Sequence, residues 1–146
     1  MATTTPTLTL ASTDAFSDPL SFSTTIDLTT NSPSAGITRV STGDNPFGEG
    51  AGVIIPESIS EYFVYVKHLG VLASDGTTTT TTSDGNFVTL SDVDGSGGLI
   101  IKLQPNEFAF FPMKEGDGSA GSGGDGGLKV TAGSAAVMIE YAYFAR

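Results

Sequence analysis

The sequence predicts an all-β fold: a single-domain antiparallel β-sandwich, jelly-roll-like, of roughly eight to ten short strands. Three observations carry that expectation. Threonine, serine and glycine are abundant, nine phenylalanines supply the aromatic bulk, and there is no tryptophan, a composition that favours strands and turns over helices. No window repeats apolar residues at helical spacing over three turns. Short alternating or apolar runs instead recur between clusters of Gly, Pro, Asn and Asp. At 146 residues, 38% of them hydrophobic, the chain is large enough to bury one core.

Taken in order, residues 1–19 are expected as an N-terminal arm or edge segment and residues 20–146 as the sandwich domain. In the arm, Thr7-Leu8-Thr9-Leu10 alternates and becomes an edge strand if a partner strand pairs with it. Thr7, Leu8, Leu10 and Phe16 are the candidate interface residues of an arm that reaches a neighbouring subunit. Leu20–Leu28 reads as a half-buried strand, with Leu20, Phe22, Ile26 and Leu28 on its apolar face. The cluster Asn31–Gly36 reads as the turn that ends it. A short strand follows over 36–42, with Arg39 opposite Ile37 or in a bulge near Val40.

The stretch Asp44–Gly52 reads as a loop pinned by Phe47, and Val53–Ile55 as an edge or corner strand stopped by Pro56. Tyr62–Leu69 is apolar on both faces until Lys67, as expected of a central strand covered on both sides or lying at an interface. Six threonines, Thr77–Thr82, have strand propensity but nothing to bury, so they read as an exposed edge strand or loop. Phe87–Leu90 is a short strand and Asp92–Gly98 a turn. The two apolar runs Leu99–Leu103 and Phe108–Met113 flank Pro105 and Asn106, which reads as a β-hairpin at the densest part of the core. Lys114–Gly127 is a long Gly/Ser/Asp surface loop. Leu128–Ala132 and Ala135–Phe144 read as a terminal hairpin around Gly133-Ser134, with Val137, Ile139, Tyr141 and Tyr143 on one face.

Charge and side-chain chemistry narrow the function. Sixteen acidic and six basic residues give a net charge of −10, which opposes nucleic acid and anionic membrane surfaces. There are no cysteines, so disulfides, thiolate metal sites and a cysteine nucleophile are ruled out. The start of the chain has neither the basic nor the apolar region of a signal peptide, and no apolar run approaches the ~20 residues that span a membrane.

No catalytic set is expected. His68, the single histidine, reads as a partly exposed structural residue, without a shaped nucleophile turn to serve. Glu57, Glu61, Glu107 and Glu140 are the carboxylates that could pair for glycoside hydrolysis, and spacing alone does not bring any two together. For calcium, Asp92 and Asp94 in Asp92-Val-Asp-Gly-Ser-Gly resemble the opening of an EF-hand loop, but position twelve is Leu103. Asp117 and Asp125 could also supply oxygens. Turn chemistry is the preferred reading of all four, and neither a metal nor a cofactor is expected.

Several segments together resemble small virion structural proteins of tailed bacteriophages: Gly36-Ile-Thr-Arg39, Tyr62-Phe-Val-Tyr-Val-Lys-His68, Leu103-Gln-Pro-Asn-Glu-Phe-Ala-Phe-Phe-Pro112, Leu128-Lys-Val-Thr-Ala132 and Val137-Met-Ile-Glu-Tyr-Ala142. The resemblance spans about residues 36–145. His68 stands where asparagine is common in such proteins, and Asn106 where glycine is common. The resemblance implies a β-sandwich on the outer surface of the virion, synthesised in the host cytoplasm. It implies a capsid decoration (cement) protein bound to the major capsid protein or other virion proteins, self-associating as a homo-oligomer, a trimer by expectation. The alternative is a tail or fibre module that binds host-surface glycans through loops 77–82 and 114–127. A carbohydrate-active enzyme on a jelly roll is a third reading.

Overall fold

The computed structural model describes residues 2–13, 20–42, 53–55, 61–92, 99–114 and 128–145. Among these residues eleven strands form: β1 (Ala2–Thr4), β2 (Thr7–Ser12), β3 (Leu20–Thr25), β4 (Leu28–Val40), β5 (Val53–Ile55), β6 (Glu61–Leu72), β7 (Val88–Asp92), β8 (Leu99–Leu103), β9 (Phe108–Lys114), β10 (Leu128–Ala132) and β11 (Val137–Ala145). A 3₁₀ turn, Thr82–Asp84, is the one helical element among the described residues. The all-β expectation holds.

Two sheets make the sandwich, in the orders β1-β4-β11-β6-β9 and β5-β10-β7-β8, and β2 and β3 pair separately as a two-stranded ribbon. Every ladder is antiparallel. Counted from β4, the eight later strands run 1-8-3-6 in one sheet and 2-7-4-5 in the other. That is jelly-roll topology. The three strands before β4 lie outside it, and β4 and β6, at 13 and 12 residues, are longer than short strands.

Period-two alternation builds the core. Val40, Tyr62, Val64, Val66, Val137 and Ile139 point inward from the larger sheet, and Val88, Leu90, Leu103, Leu128 and Val130 meet them from the smaller one. β6 lies between β11 and β9, the central position its apolar run predicts. The C-terminal strand keeps Val137, Ile139, Tyr141 and Tyr143 on its core side, also as expected, and β5 is an edge strand.

Both expected hairpins are corrected. β8 pairs with β7 and β9 with β6, in opposite sheets. The turn between them is therefore an arch across the sandwich. Pro105 precedes Asn106, whose φ is 70°, and the Glu107 amide donates to the Gln104 carbonyl, the signature of a type II turn. β10 and β11 likewise lie in different sheets. An arch and a hairpin share the same local pattern of apolar runs around a tight turn. Only the pairing partners tell them apart.

Three further differences concern the N-terminal third. The expected boundary at residues 19 and 20 falls between the paired strands β2 and β3. The supposed half-buried strand Leu20–Leu28 is interrupted: Leu20–Thr25 belongs to the ribbon, where Phe22 and Ile26 are exposed, and Leu28 opens β4 as a buried residue. The break is held by the Ile26 amide on the Pro6 carbonyl and by Thr5 Oγ1 on Asp27. Asn31–Gly36 is strand, not turn, because β11 pairs with it; its register shifts between Tyr143 and Ala145, opposite Ser34 and Asn31, and a shifted register can accommodate Pro33. Ile37 and Arg39 share the outer face of β4, since Val40 points inward and faces alternate. Phe47 lies outside the described residues.

Candidate functional site

The outer face of the larger sheet is unusually apolar. Strand alternation places Ile37, Tyr65, Phe108 and Phe110 there, directed away from the core. Ile37 and Phe108 are 63% and 60% exposed. Register sets Glu140 between Ile37 and Lys67, and Lys67 next to Phe108. Phe63 stacks on Phe110 with centroids 5.8 Å apart and planes 11° from parallel, and Tyr65 tilts against Phe108 at 6.3 Å. These cross-strand aromatic pairs fix the rings that line the surface.

The ribbon of β2 and β3 leans over one end of this face. Its odd-numbered positions are polar except Ala11, and Thr7 bonds Thr25 and Thr9 bonds Ser23 across it. Its other face carries Leu8, Leu10 and Phe22, with Ile26 just beyond β3, each about half exposed. A cleft of about 500 Å³ separates the ribbon from the sheet, lined by Pro6, Thr7, Leu8, Thr9, Thr24 and Ile26 on one side and Tyr65, Phe108 and Phe110 on the other. Beyond Tyr65 lies a second depression of about 420 Å³, bordered by Ala35, Ile37, Glu140 and Ala142. The Tyr65 hydroxyl donates to Glu140 Oε2 at 3.3 Å. Burial, then the Glu140 charge, raises the Tyr65 phenol above its ordinary pKa. Tyr65 is therefore a donor, not a base, near neutral pH.

His68 is placed differently from expectation: it is fully buried, not partly exposed. The physical reason is a bulge in β6. Between Val137 and Ile139 the β6–β11 register jumps from Leu72 to His68, and Gly70 takes a φ of 73°. This turns the Gly70 amide back onto His68 Nδ1 at 2.9 Å, while Nε2 lies 2.7 Å from the Asn86 carbonyl. An accepting Nδ1 and a donating Nε2–H define one neutral tautomer. Burial holds its pKa below 6.5, partly offset by the Asn86 bond. Both ring nitrogens are committed to backbone, so the residue pins β6 to the segment before β7.

Of the predicted interface residues, Thr7, Leu8 and Leu10 lie on the ribbon, Thr7 on its polar side; Phe16 lies outside the described residues. Phe108 and Phe110, assigned to the core from sequence, are surface residues of the cleft. Of the calcium candidates, Asp92 ends β7, and Asp94, Asp117 and Asp125 lie outside the described residues. Among the described residues no three His, Asp or Glu side chains gather as a metal site. Glu107 accepts from the Gln104 amide in the arch, Glu140 sits on the outer face, Glu61 opens β6, and Glu57 lies outside the described residues. Thr77–Thr82 forms a loop with one bridge, Thr79 to Val71, in which Thr80 is buried. Asp75 receives the amides of Thr77 and Thr78, and the Thr78 hydroxyl and amide bonds pull its pKa down to about 2. No helix of the described residues is long and apolar enough to cross a membrane.

The chain matches no protein-family model, no curated protein and no solved structure.

Proposed function

We propose that this chain is a virion structural protein of a tailed bacteriophage, a capsid decoration protein that catalyses no reaction and stabilises the shell by bridging its subunits. The observation that carries the reading is the apolar surface left open on one side of the molecule. Ile37, Phe108 and Phe110 on the sheet, Leu8, Leu10 and Phe22 on the ribbon, and Ile26 just beyond it are all exposed. A cluster of this kind marks a protein contact more often than a solvated surface. The jelly roll is a frequent capsid architecture, though it hosts lectins and enzymes as well. The sequence resemblance supplies the choice among these, and the acidic surface suits a position away from packaged DNA.

The test is quantitative mass spectrometry of purified particles of the encoding phage. A simple integer ratio to the major capsid protein is the expected result. A copy number far below that of the shell subunit moves the protein to the tail or fibres. There the Tyr65 hydroxyl and Glu140 carboxylate beside exposed Phe108 would offer a glycan the polar and stacking groups it needs. Absence from the particle overturns both readings.

A further inference from the structure

We infer that the β2–β3 ribbon is the contact between copies of this chain, β2 of one copy pairing with β3 of the next in a closed ring. Three observations point to a second copy as the occupant. The first is the edges. The ribbon pairs with no other described strand, so among the described residues β2 and β3 each present an open outer edge. Proteins normally guard such edges with lysine, proline or a bulge. The sandwich's edges carry such residues or are very short: β9 contains Pro112, β8 contains Lys102, and β1 and β5 are three residues each. Neither β2 nor β3 contains a proline, a charged residue or a register shift.

Charge is the second observation. The chain carries −10 overall, yet neither strand of the ribbon bears any charge. Like molecules of high net charge repel, so copies meet at least cost where the charge is missing. A basic partner would find nothing there to steer it. The third is the two-faced ribbon itself. Leu8, Leu10 and Phe22 share one face and the threonines and serines hydrogen-bonded across the ribbon share the other. Leu8 overhangs the molecule's own sheet, whereas Leu10 and Phe22 lie beyond the residues that line the cleft, and among the described residues packing leaves each of them about half exposed.

A ring satisfies all three together. In β2 and β3 the chain runs in opposite directions, so repeating the ribbon around an axis alternates up and down strands and makes every new ladder antiparallel. Both open edges are used at each junction, and the apolar faces turn inward while the Thr/Ser faces turn to solvent, as in a small barrel. Two copies give only four strands, too tight to hold these side chains inside. The ring therefore needs at least three copies. The inference does not depend on the virion reading, because it concerns the isolated protein in solution.

The experiment is native mass spectrometry and analytical ultracentrifugation of the full chain at micromolar concentration. The panel is wild type, Leu10→Lys, Phe22→Lys and Thr9→Lys, with thermal unfolding as the check on the sandwich. The expected result is a cyclic oligomer of three or more chains that becomes monomeric in L10K and F22K and persists in T9K. All four should melt together when compared as monomers, since none of these residues reaches the core. A monomeric or dimeric wild type overturns the proposal. So does an oligomer that survives both L10K and F22K, which would place the contact elsewhere.

Discussion

The buried His68 makes stability depend on pH in a way that one substitution isolates. In the folded chain Nδ1 accepts from the Gly70 amide and Nε2–H donates to the Asn86 carbonyl, and burial lowers the pKa below 6.5. In the unfolded chain the imidazole titrates near its ordinary value of about 6.5. Below that pH the unfolded state binds a proton that the folded state refuses. Its contribution is thus fully present above about 6.5 and is lost as pH falls toward the folded pKa. The slope is one proton, ~1.4 kcal/mol per pH unit in that window. The perturbation is His68→Gln, which keeps an amide donor and an acceptor but cannot titrate. Urea unfolding from pH 7.5 down to 5 gives the stability of both proteins, and their difference cancels the carboxylates, which titrate alike in each. The difference should be flat above pH 6.5 and narrow steadily below it. Because His68 is the only histidine, its ring protons also report the folded pKa by NMR without assignment. A pKa at or above 6.5, or a stability difference independent of pH, would refute the buried neutral tautomer.

Other substitutions test the turns and the core. Asn106 has a φ of 70°, so Asn106→Gly should be neutral or slightly stabilising and Asn106→Val should cost about 1–2 kcal/mol by chemical denaturation; equal losses would contradict the type II turn. A β-carbon on Gly133 would clash with the Gly85 carbonyl oxygen and sit 2.9 Å from the Phe87 ring, so Gly133→Ala should lose about 1–3 kcal/mol. Leu90 is fully buried, and Leu90→Ala should cost about 2–5 kcal/mol, while Ile37→Ala on the exposed face stays within about 0.5 kcal/mol. Asp75→Ala should speed amide exchange at Thr77 and Thr78 without changing exchange in β6. In the wild type the same protection should persist on acidification until pH approaches 2. Loss of protection at pH 4 would show that the carboxylate is not what holds the loop.

The elements themselves were legible in the residues, because alternation and turn chemistry are local signals. β6, β7, β8, β9, β10 and β11 all fall on runs visible in the sequence. Sheet membership was not legible. Leu99–Leu103 and Phe108–Met113 look like a hairpin because the same Pro-Asn turn serves an arch, and the choice depends on β7 and β6, which are distant along the chain. Pro33 looked like a terminator, since the register shift that accommodates it is set by β11. At the site, Leu8 and Leu10 could be found from alternation around threonines. Phe108 and Phe110 could not: an aromatic at every second position fills a core as readily as it covers an outer face, and only the sheet's place in the sandwich decides.

The position of β11 sets when the molecule can acquire its structure. β11 lies between β4 and β6, and its Val137 is registered with Val40, far back along the chain. Until it is available, β4 has no partner among the described strands but β1, and β6 has none but β9. A chain emerging from the ribosome can therefore accumulate β4 through β10 without completing the larger sheet, and it closes only after Val137–Ala145 has cleared the exit tunnel. Closure of the larger sheet is limited by long-range pairing, a regime in which all-β domains take milliseconds to seconds. During that interval the unfinished sheet exposes Val64 and Val66 along an unpaired edge, and the growing chain is at its most vulnerable to aggregation.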